Sequence, residues 1–409
     1  MTQPVFPLRL LGRVFLPFAC GYYFSYFFRT INAVISPDLV RDVGIDANRL
    51  GLLTSAYFLA FALFQLPLGV ALDRFGPRRV NASLLVVAAG GAALFAASET
   101  LGGLVLGRAL IGLGVSGCLM SSMKAFTLWF PMSRLATLNG WLMALGGLGA
   151  VSASVPTQAL LRVTDWRGIF DALAALTFVV AMLIFFVVPE RDAGASRTPL
   201  AVLVGGFATI YRDTVFWRVA AVSMTVHATF LATQGLWIAP WLHDVAGYDR
   251  TAIASILLAM AVTMTIGFAS FGWISDRLAQ RGIAPLAIYK WGAIVNGMIM
   301  LSFALGVTTT AIVACMLFAF IGPSAMLSYA LLTARYDKAL VGRVNTAVNM
   351  LVFLSAFAAQ WGIGAIIGFW PQEAGRYPVA AYTAAFGACV LLGALALVPL
   401  FSLRQIGAR

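Results

Sequence analysis

Arg29 is the costliest residue in this chain to place. It lies well inside Cys20–Leu39, CGYYFSYFFRTINAVISPDL, a run that is apolar and aromatic until its Ser-Pro-Asp end. If that run crosses a bilayer, a cation there needs a cavity or a partner, and its default reading is a functional site. Helical spacing of i, i+4 and i+7 sets Tyr22, Tyr26 and Arg29 on one face. A guanidinium flanked by phenol hydroxyls and ring faces is chemistry for holding an anion, a carboxylate above all. Arg108 stands in a second apolar run, LGGLVLGRALIGLG. At 1.5 Å per residue both arginines fall roughly 10–12 Å below the same surface. His227, near the middle of another run, is the one span residue that titrates near neutrality in water, which makes it the candidate proton carrier. Gln234, Trp237 and Tyr329 are expected to complete the binding surface. Each of these types also has a structural use, as an arginine tied to backbone carbonyls or as polar glue between helices.

Long apolar helices must carry these residues. Of the 409 residues, 61% are hydrophobic and only 10% charged, and the mean hydropathy is +0.92. A soluble domain carries about 25% charged residues, so the composition predicts an all-α membrane protein of many spans. The apolar runs last about 20 residues, whereas a transmembrane β-barrel alternates over about 10. Twelve transmembrane helices are predicted: 14–35, 50–71, 80–97, 101–123, 135–160, 170–188, 217–240, 252–273, 286–306, 311–334, 344–368 and 379–402. A charged, Pro/Gly-containing break divides six from six. The expected organisation is a six-helix bundle at 1–188, a cytoplasmic linker at 189–216 and a second six-helix bundle at 217–409.

Charge sets the expected orientation. With the N-terminus inside, inner segments hold 19 of the Lys and Arg residues and outer segments 6, leaving Arg29 and Arg108 within spans. That asymmetry predicts both termini on the cytoplasmic side, in a bacterial inner membrane. The net charge of +12 is then topological, which excludes nucleic acid as a partner. All 15 Asp and Glu residues fall outside the span interiors. Cys20, Cys118, Cys315 and Cys389 lie in apolar runs without metal-ligand spacing, so no metal site or disulfide framework is expected. The first apolar run, from near Val14, is too long for a cleavable signal. No HExxH, GxSxG or Walker pattern is present, so the expectation is not an enzyme, with no cofactor and no ATP-driven pumping. The expected partners are the lipid bilayer and a small-molecule substrate, with the chain a monomer.

Two loops repeat across the halves. Gly69-Val-Ala-Leu-Asp73-Arg74-Phe-Gly76-Pro-Arg78-Arg79 follows span two, and Gly272-Trp-Ile-Ser-Asp276-Arg277 follows span eight. The first resembles the signature loop of the major facilitator superfamily, G-x-x-x-D-R/K-x-G-R/P-R/K-R/K, and the second is its weaker copy. Arg108, Gly112 and Gly114 resemble the superfamily's R-x-x-x-G-x-G pattern in span four. The resemblance implies two six-helix bundles, a central path lined by spans one, four, seven and ten, and alternating access. It further implies a cytoplasmic gate from Gly69, Asp73, Arg74, Gly76, Arg78, Arg79, Asp276 and Arg277, with Gly69 permitting close helix approach.

Tyr22–Arg29 followed by Pro37-Asp38-Leu39 resembles span one of the organic-anion branches, the sialin-like symporters and the organophosphate antiporters. There an arginine at the Arg29 position binds the anionic group, and in sialin-like members one at the Arg108 position also serves. The coupling glutamate of those members, seven residues after Arg108, is Val115 here, and Phe28 stands where many have Asp. The expected function is secondary active or facilitative transport of a small organic anion or carboxylate-bearing zwitterion. Uniport or exchange is favoured over carboxylate-coupled symport. The rival expectations are a proton-coupled drug or metabolite exporter and a non-transporting membrane receptor or scaffold.

Overall fold

A computed structural model describes residues 8–191, 207–337 and 340–403, without the side chains of Leu8, Ser133, Ala136 and Asp276. The middle of the expected linker, 192–206, lies outside the described residues. In hydrocarbon every backbone polar group must be satisfied within its own segment, so the apolar runs become helices. Among the described residues ten helices are long and apolar enough to cross a membrane. There is no strand among them beyond an isolated bridge between Glu373 and Arg376.

One of the ten, Ala47–Ala97, has 51 residues. As a single rod it would measure about 77 Å, against a bilayer core of about 30 Å. It is two helices meeting at Gly76, whose φ of 77° and ψ of 163° suit only glycine. Leu16–Thr30 and Asn32–Val43 together cover the first expected span. With that division and that addition, helical segments lie along each of the expected spans.

Several helices begin earlier than hydropathy alone predicts. Asp46 accepts from the Arg49 amide at 2.8 Å, Asp165 from Gly168 at 2.8 Å and Asp249 from Ala252 at 2.7 Å. These N-caps satisfy amides that the first helical turn leaves free, and they lengthen the spans with polar residues that a hydropathy window discounts. Span one also runs on to Val43, with Pro37 inside the helix.

Spans one, four, seven and ten share an irregularity near mid-length. Span one breaks at Ile31, and span four between Val115 and Cys118. Span seven widens into a π-turn at Thr233–Trp237, and span ten tightens into a 3-10 turn at Gly322–Met326. Other helices of the bundle press close to these. A Cβ on Gly146 of span five would come within 2.6 Å of the Tyr22 ring, and one on Gly149 within 2.2 Å of the Tyr23 carbonyl. Span five therefore lies against span one without side chains between them, and it fixes where Tyr22 stands.

The halves also join at the Asp38 end of the helices. Arg250 forks onto the carboxylate of buried Asp38, and its Nε donates to Gln158 Oε1 at 3.0 Å. The Ala47 amide donates to the Tyr377 hydroxyl at 3.1 Å, and Trp361 Nε1 to Asn48 Oδ1 at 2.8 Å. Within the second half, buried Asp213 caps span seven and binds the end of span ten. It accepts from the Val215 amide at 2.9 Å, from Arg335 Nε at 2.6 Å and from the Tyr336 hydroxyl at 2.9 Å. Burial alone would raise the Asp213 carboxyl; its hydrogen bonds from Arg335, the Val215 amide and Tyr336 outweigh that and hold it below the usual aspartate value.

Candidate functional site

The four irregular spans surround a cavity of about 60 Å³. Tyr22, Tyr26, Arg29, His227, Gln234 and Tyr329 all line it. Such a volume holds a handful of waters and is well below the roughly 300–1,000 Å³ of a ligand pocket. The helices must part before an organic molecule of ordinary ligand size can sit there.

Arg29 is held by ring faces. Its Cζ lies 4.7 Å from the Tyr26 centroid, 5.2 Å from Phe353 and 5.6 Å from Phe61. Phe61 and Phe353 stack at 4.1 Å across the two halves beneath it. Its Nε is buried without a partner, and among the described residues no Asp or Glu lines the cavity. Cation–π contact is worth about 2 kcal/mol when desolvated, but it leaves the charge itself uncancelled.

Tyr22 and Tyr26 meet edge to face at 5.2 Å, and the Tyr22 hydroxyl reaches Met143 Sδ at 3.4 Å. His227 enters from span seven with Nδ1 buried and unpartnered. Opposite, a hydrogen-bonded chain crosses the cavity wall. The Tyr329 hydroxyl donates to Asn349 Oδ1 at 3.0 Å, Asn349 Nδ2 to Gln65 Oε1 at 2.9 Å, and Gln65 Nε2 to the Ser116 carbonyl at 3.4 Å. Gln65 was not among the expected site residues, and from sequence Asn349 serves equally as interhelical glue or as a site residue. The available signal was a lone amide in FALFQLPLG of span two.

Two expected residues are elsewhere. Arg108, 2% exposed, turns away from the cavity and donates from both Nη atoms to the Phe28 carbonyl. Its Cζ sits 5.3 Å from Tyr57 and 6.0 Å from Phe95. Depth places it level with Arg29, but its rotation about the helix axis points it into the packing among spans one to four. Trp237 likewise leaves the Arg29 cavity. Its Nε1 donates to the Gln360 carbonyl at 2.9 Å, and its ring lines a separate cavity of about 600 Å³ at the Asp38 end. The π-turn carries Gln234 and Gly235 to one cavity and Trp237 to the other.

At the opposite end, the signature loop does not use Gly69 as expected. A Cβ there would meet nothing within 4 Å, so no helix approaches closely. Gly76 is the demanding glycine, because it makes the turn into span three. Asp73 accepts from Lys124, whose Nζ also reaches the Leu72 carbonyl at 2.9 Å. Arg74 is exposed over Phe75, while Arg78 and Arg79 face Glu190. Arg277 lies over Trp273 at 5.4 Å; the Asp276 side chain lies outside the described residues.

A family model described as Major Facilitator Superfamily matches residues 18–360. The chain belongs to the Major Facilitator Superfamily. Among curated proteins it is 24% identical over 279 residues to a probable sulfoacetate transporter of Cupriavidus necator, covering 64% of each chain. It is 25% identical over 279 residues to a probable L-galactonate transporter of Escherichia coli, covering 65% of this chain and 62% of that one. The chain thus spans under two thirds of the length of these two relatives. The solved structure of a bacterial homolog to the human lysosomal transporter Spinster, inward-facing and unoccupied, superposes with a TM-score of 0.77. It is 17% identical over 97% of each chain, which shows a shared fold. This superfamily member is an integral membrane protein.

Proposed function

We propose that this superfamily member transports a small organic anion, or a zwitterion presenting a carboxylate, by alternating access. One observation carries the reading: Arg29 reaches the central cavity on three aromatic faces, and no lining carboxylate opposes its charge. A bound carboxylate supplies that counter-charge. Tyr22, Tyr26, Gln234 and Tyr329 contact the rest of the ligand, with Gln65 and Asn349 added to the set. The relatives described as transporters of sulfoacetate and L-galactonate, both organic anions, support this class. With no carboxylate in the cavity, uniport or exchange is the favoured energetics, and His227 takes any proton coupling.

The moving parts of the proposal are residues 1–188 and 217–409, joined by 189–216 and rocking as a monomer about the cavity. Both termini face the cytoplasm of a bacterial inner membrane. Asp73, Arg74, Arg78 and Arg79, with Asp276 and Arg277, close the cytoplasmic side, and the Asp38–Arg250 pair closes the other.

Uptake into proteoliposomes tests the site. Labelled L-galactonate and sulfoacetate are offered to wild type, Arg29→Lys and Arg29→Ala. The expected loss in Arg29→Ala is about 10–100-fold, matching about 1.5–3 kcal/mol for hydrogen bonds to a charged group. Wild-type transport of every carried anion by Arg29→Ala would end the proposal.

A further inference from the structure

Far from the central cavity, the loop between spans two and three meets the ends of spans four and six around a third hollow of about 140 Å³. Its walls include Arg74, Arg78, Arg79, Arg191 and Trp129, and its acids are Asp73 and Glu190. Both acids are already engaged. Asp73 accepts from Lys124, and Glu190 pairs with Arg79 and stands 3.7 Å from Arg78. Arg74 and Arg191 have no carboxylate among the described residues. Arg74 lies 5.4 Å over Phe75; Arg191 lies 5.2 Å over Trp129 and donates to the Leu128 carbonyl. Arg78 is pinned 5.1 Å over Phe185, with its Nε buried and unpartnered.

A buried guanidinium N–H without an acceptor is a cost that a ligand oxygen removes. Several convergent guanidinium groups favour a tetrahedral oxyanion that accepts many hydrogen bonds. Beside the hollow, the end of span six exposes Leu183, Phe186 and Val187, with Phe186 75% exposed. In a membrane protein such a wall is covered by lipid, and it leads from the arginines toward the bilayer interior.

We propose that this hollow holds the phosphate headgroup of an anionic membrane phospholipid. Arg78, Arg191 and Arg74 donate to the phosphate oxygens, and an acyl chain lies along Leu183, Phe186 and Val187. Basic pockets at a membrane edge are a physical match for such headgroups. The site is independent of the anion proposed for the Arg29 cavity.

The test uses the full chain, delipidated in detergent and titrated with dioleoyl-phosphatidylglycerol, dioleoyl-phosphatidylcholine or inorganic phosphate. Native mass spectrometry counts retained lipid, and melting curves read stability. Wild type is expected to retain one phosphatidylglycerol in at least about tenfold preference to phosphatidylcholine, with a raised melting point. Arg191→Gln is expected to reduce that preference about tenfold, and Arg78→Gln with Arg191→Gln to abolish it, while Arg281→Gln leaves it intact. Arg191→Gln spares the signature loop, so it reads the site even where Arg78→Gln fails to fold. Equal retention of the two lipids by wild type, or an unchanged preference in the double variant, overturns the proposal. So does a melting shift from millimolar inorganic phosphate that equals the phosphatidylglycerol shift and is lost in the same variants, because the ligand is then a free anion.

Discussion

Both Nη atoms of Arg108 donate to a single acceptor, the Phe28 carbonyl, at 3.1 Å each. That carbonyl lies three residues before the break in span one at Ile31. Arg108 therefore ties span four to the irregular part of span one, and its charge spreads over the Tyr57 and Phe95 rings. The two intramembrane arginines have opposite employment, one holding backbone and the other facing open space.

Substitution separates them. Arg108→Lys keeps the charge and loses the two-pronged contact, at an expected cost of about 1.5–3 kcal/mol in stability. Anion affinity in that variant should stay within a few-fold of wild type, whereas Arg29→Lys should show the reverse pattern. Melting curves and ligand titrations on both proteins check this.

The Asp38–Arg250 pair spans the two halves, with Asp38 6% exposed. Asp38→Asn and Arg250→Gln are each expected to loosen that end and to change transport in the same direction. Their double variant should be no worse than either single one, giving a coupling of at least about 0.5–3 kcal/mol in a cycle of melting measurements. Additive losses would show that the two side chains act separately.

Gly364 faces the Trp237 ring, where a Cβ would stand 2.8 Å from Cζ2 and 2.5 Å from the Ala47 carbonyl oxygen. Neither the backbone nor the hydrogen-bonded indole yields easily. Gly364→Ala should cost about 1–3 kcal/mol by overpacking. Gly362→Ala, two residues away with nothing within 4 Å of its Cβ, should be neutral or gain up to about 1 kcal/mol from helix propensity.

Asp213 gives a pH signature. Its folded carboxyl lies below the ordinary value of 3.8, so its stabilisation is fully present above that value. It is lost as pH falls through the lower folded value. Melting temperature measured from pH 5 downward should fall more steeply for wild type than for Asp213→Asn, which starts less stable and has no carboxyl there to protonate.

The spans and their order were legible because hydrocarbon demands about 20 apolar residues wherever a helix crosses it. Their ends were not, because caps such as Asp46 and Asp165 extend helices with polar residues. The cavity was half legible. Tyr22, Tyr26 and Arg29 repeat at helical spacing, and the backbone through them is regular enough for that spacing to hold. Trp237 follows Gln234 by three residues and an α-helix would keep them close, but the π-turn rotates one away from the other. Arg108 escaped for a related reason: sequence gives depth along an axis more readily than rotation about it. Gln65 was invisible as a site residue because one amide among apolar neighbours looks the same whether it binds a ligand or a backbone.

With no carboxylate lining the cavity among the described residues, the Arg29 guanidinium brings it one elementary positive charge. Under the proposed reading, a monovalent anion cancels that charge, and the loaded carrier becomes electrically silent. A divalent anion instead leaves it net negative. At about 2.3 kcal/mol per charge per 100 mV, the membrane potential then acts on the empty carrier and on the dianion-loaded one in opposite senses. The valence of the cargo decides which half of the cycle feels the cell's voltage.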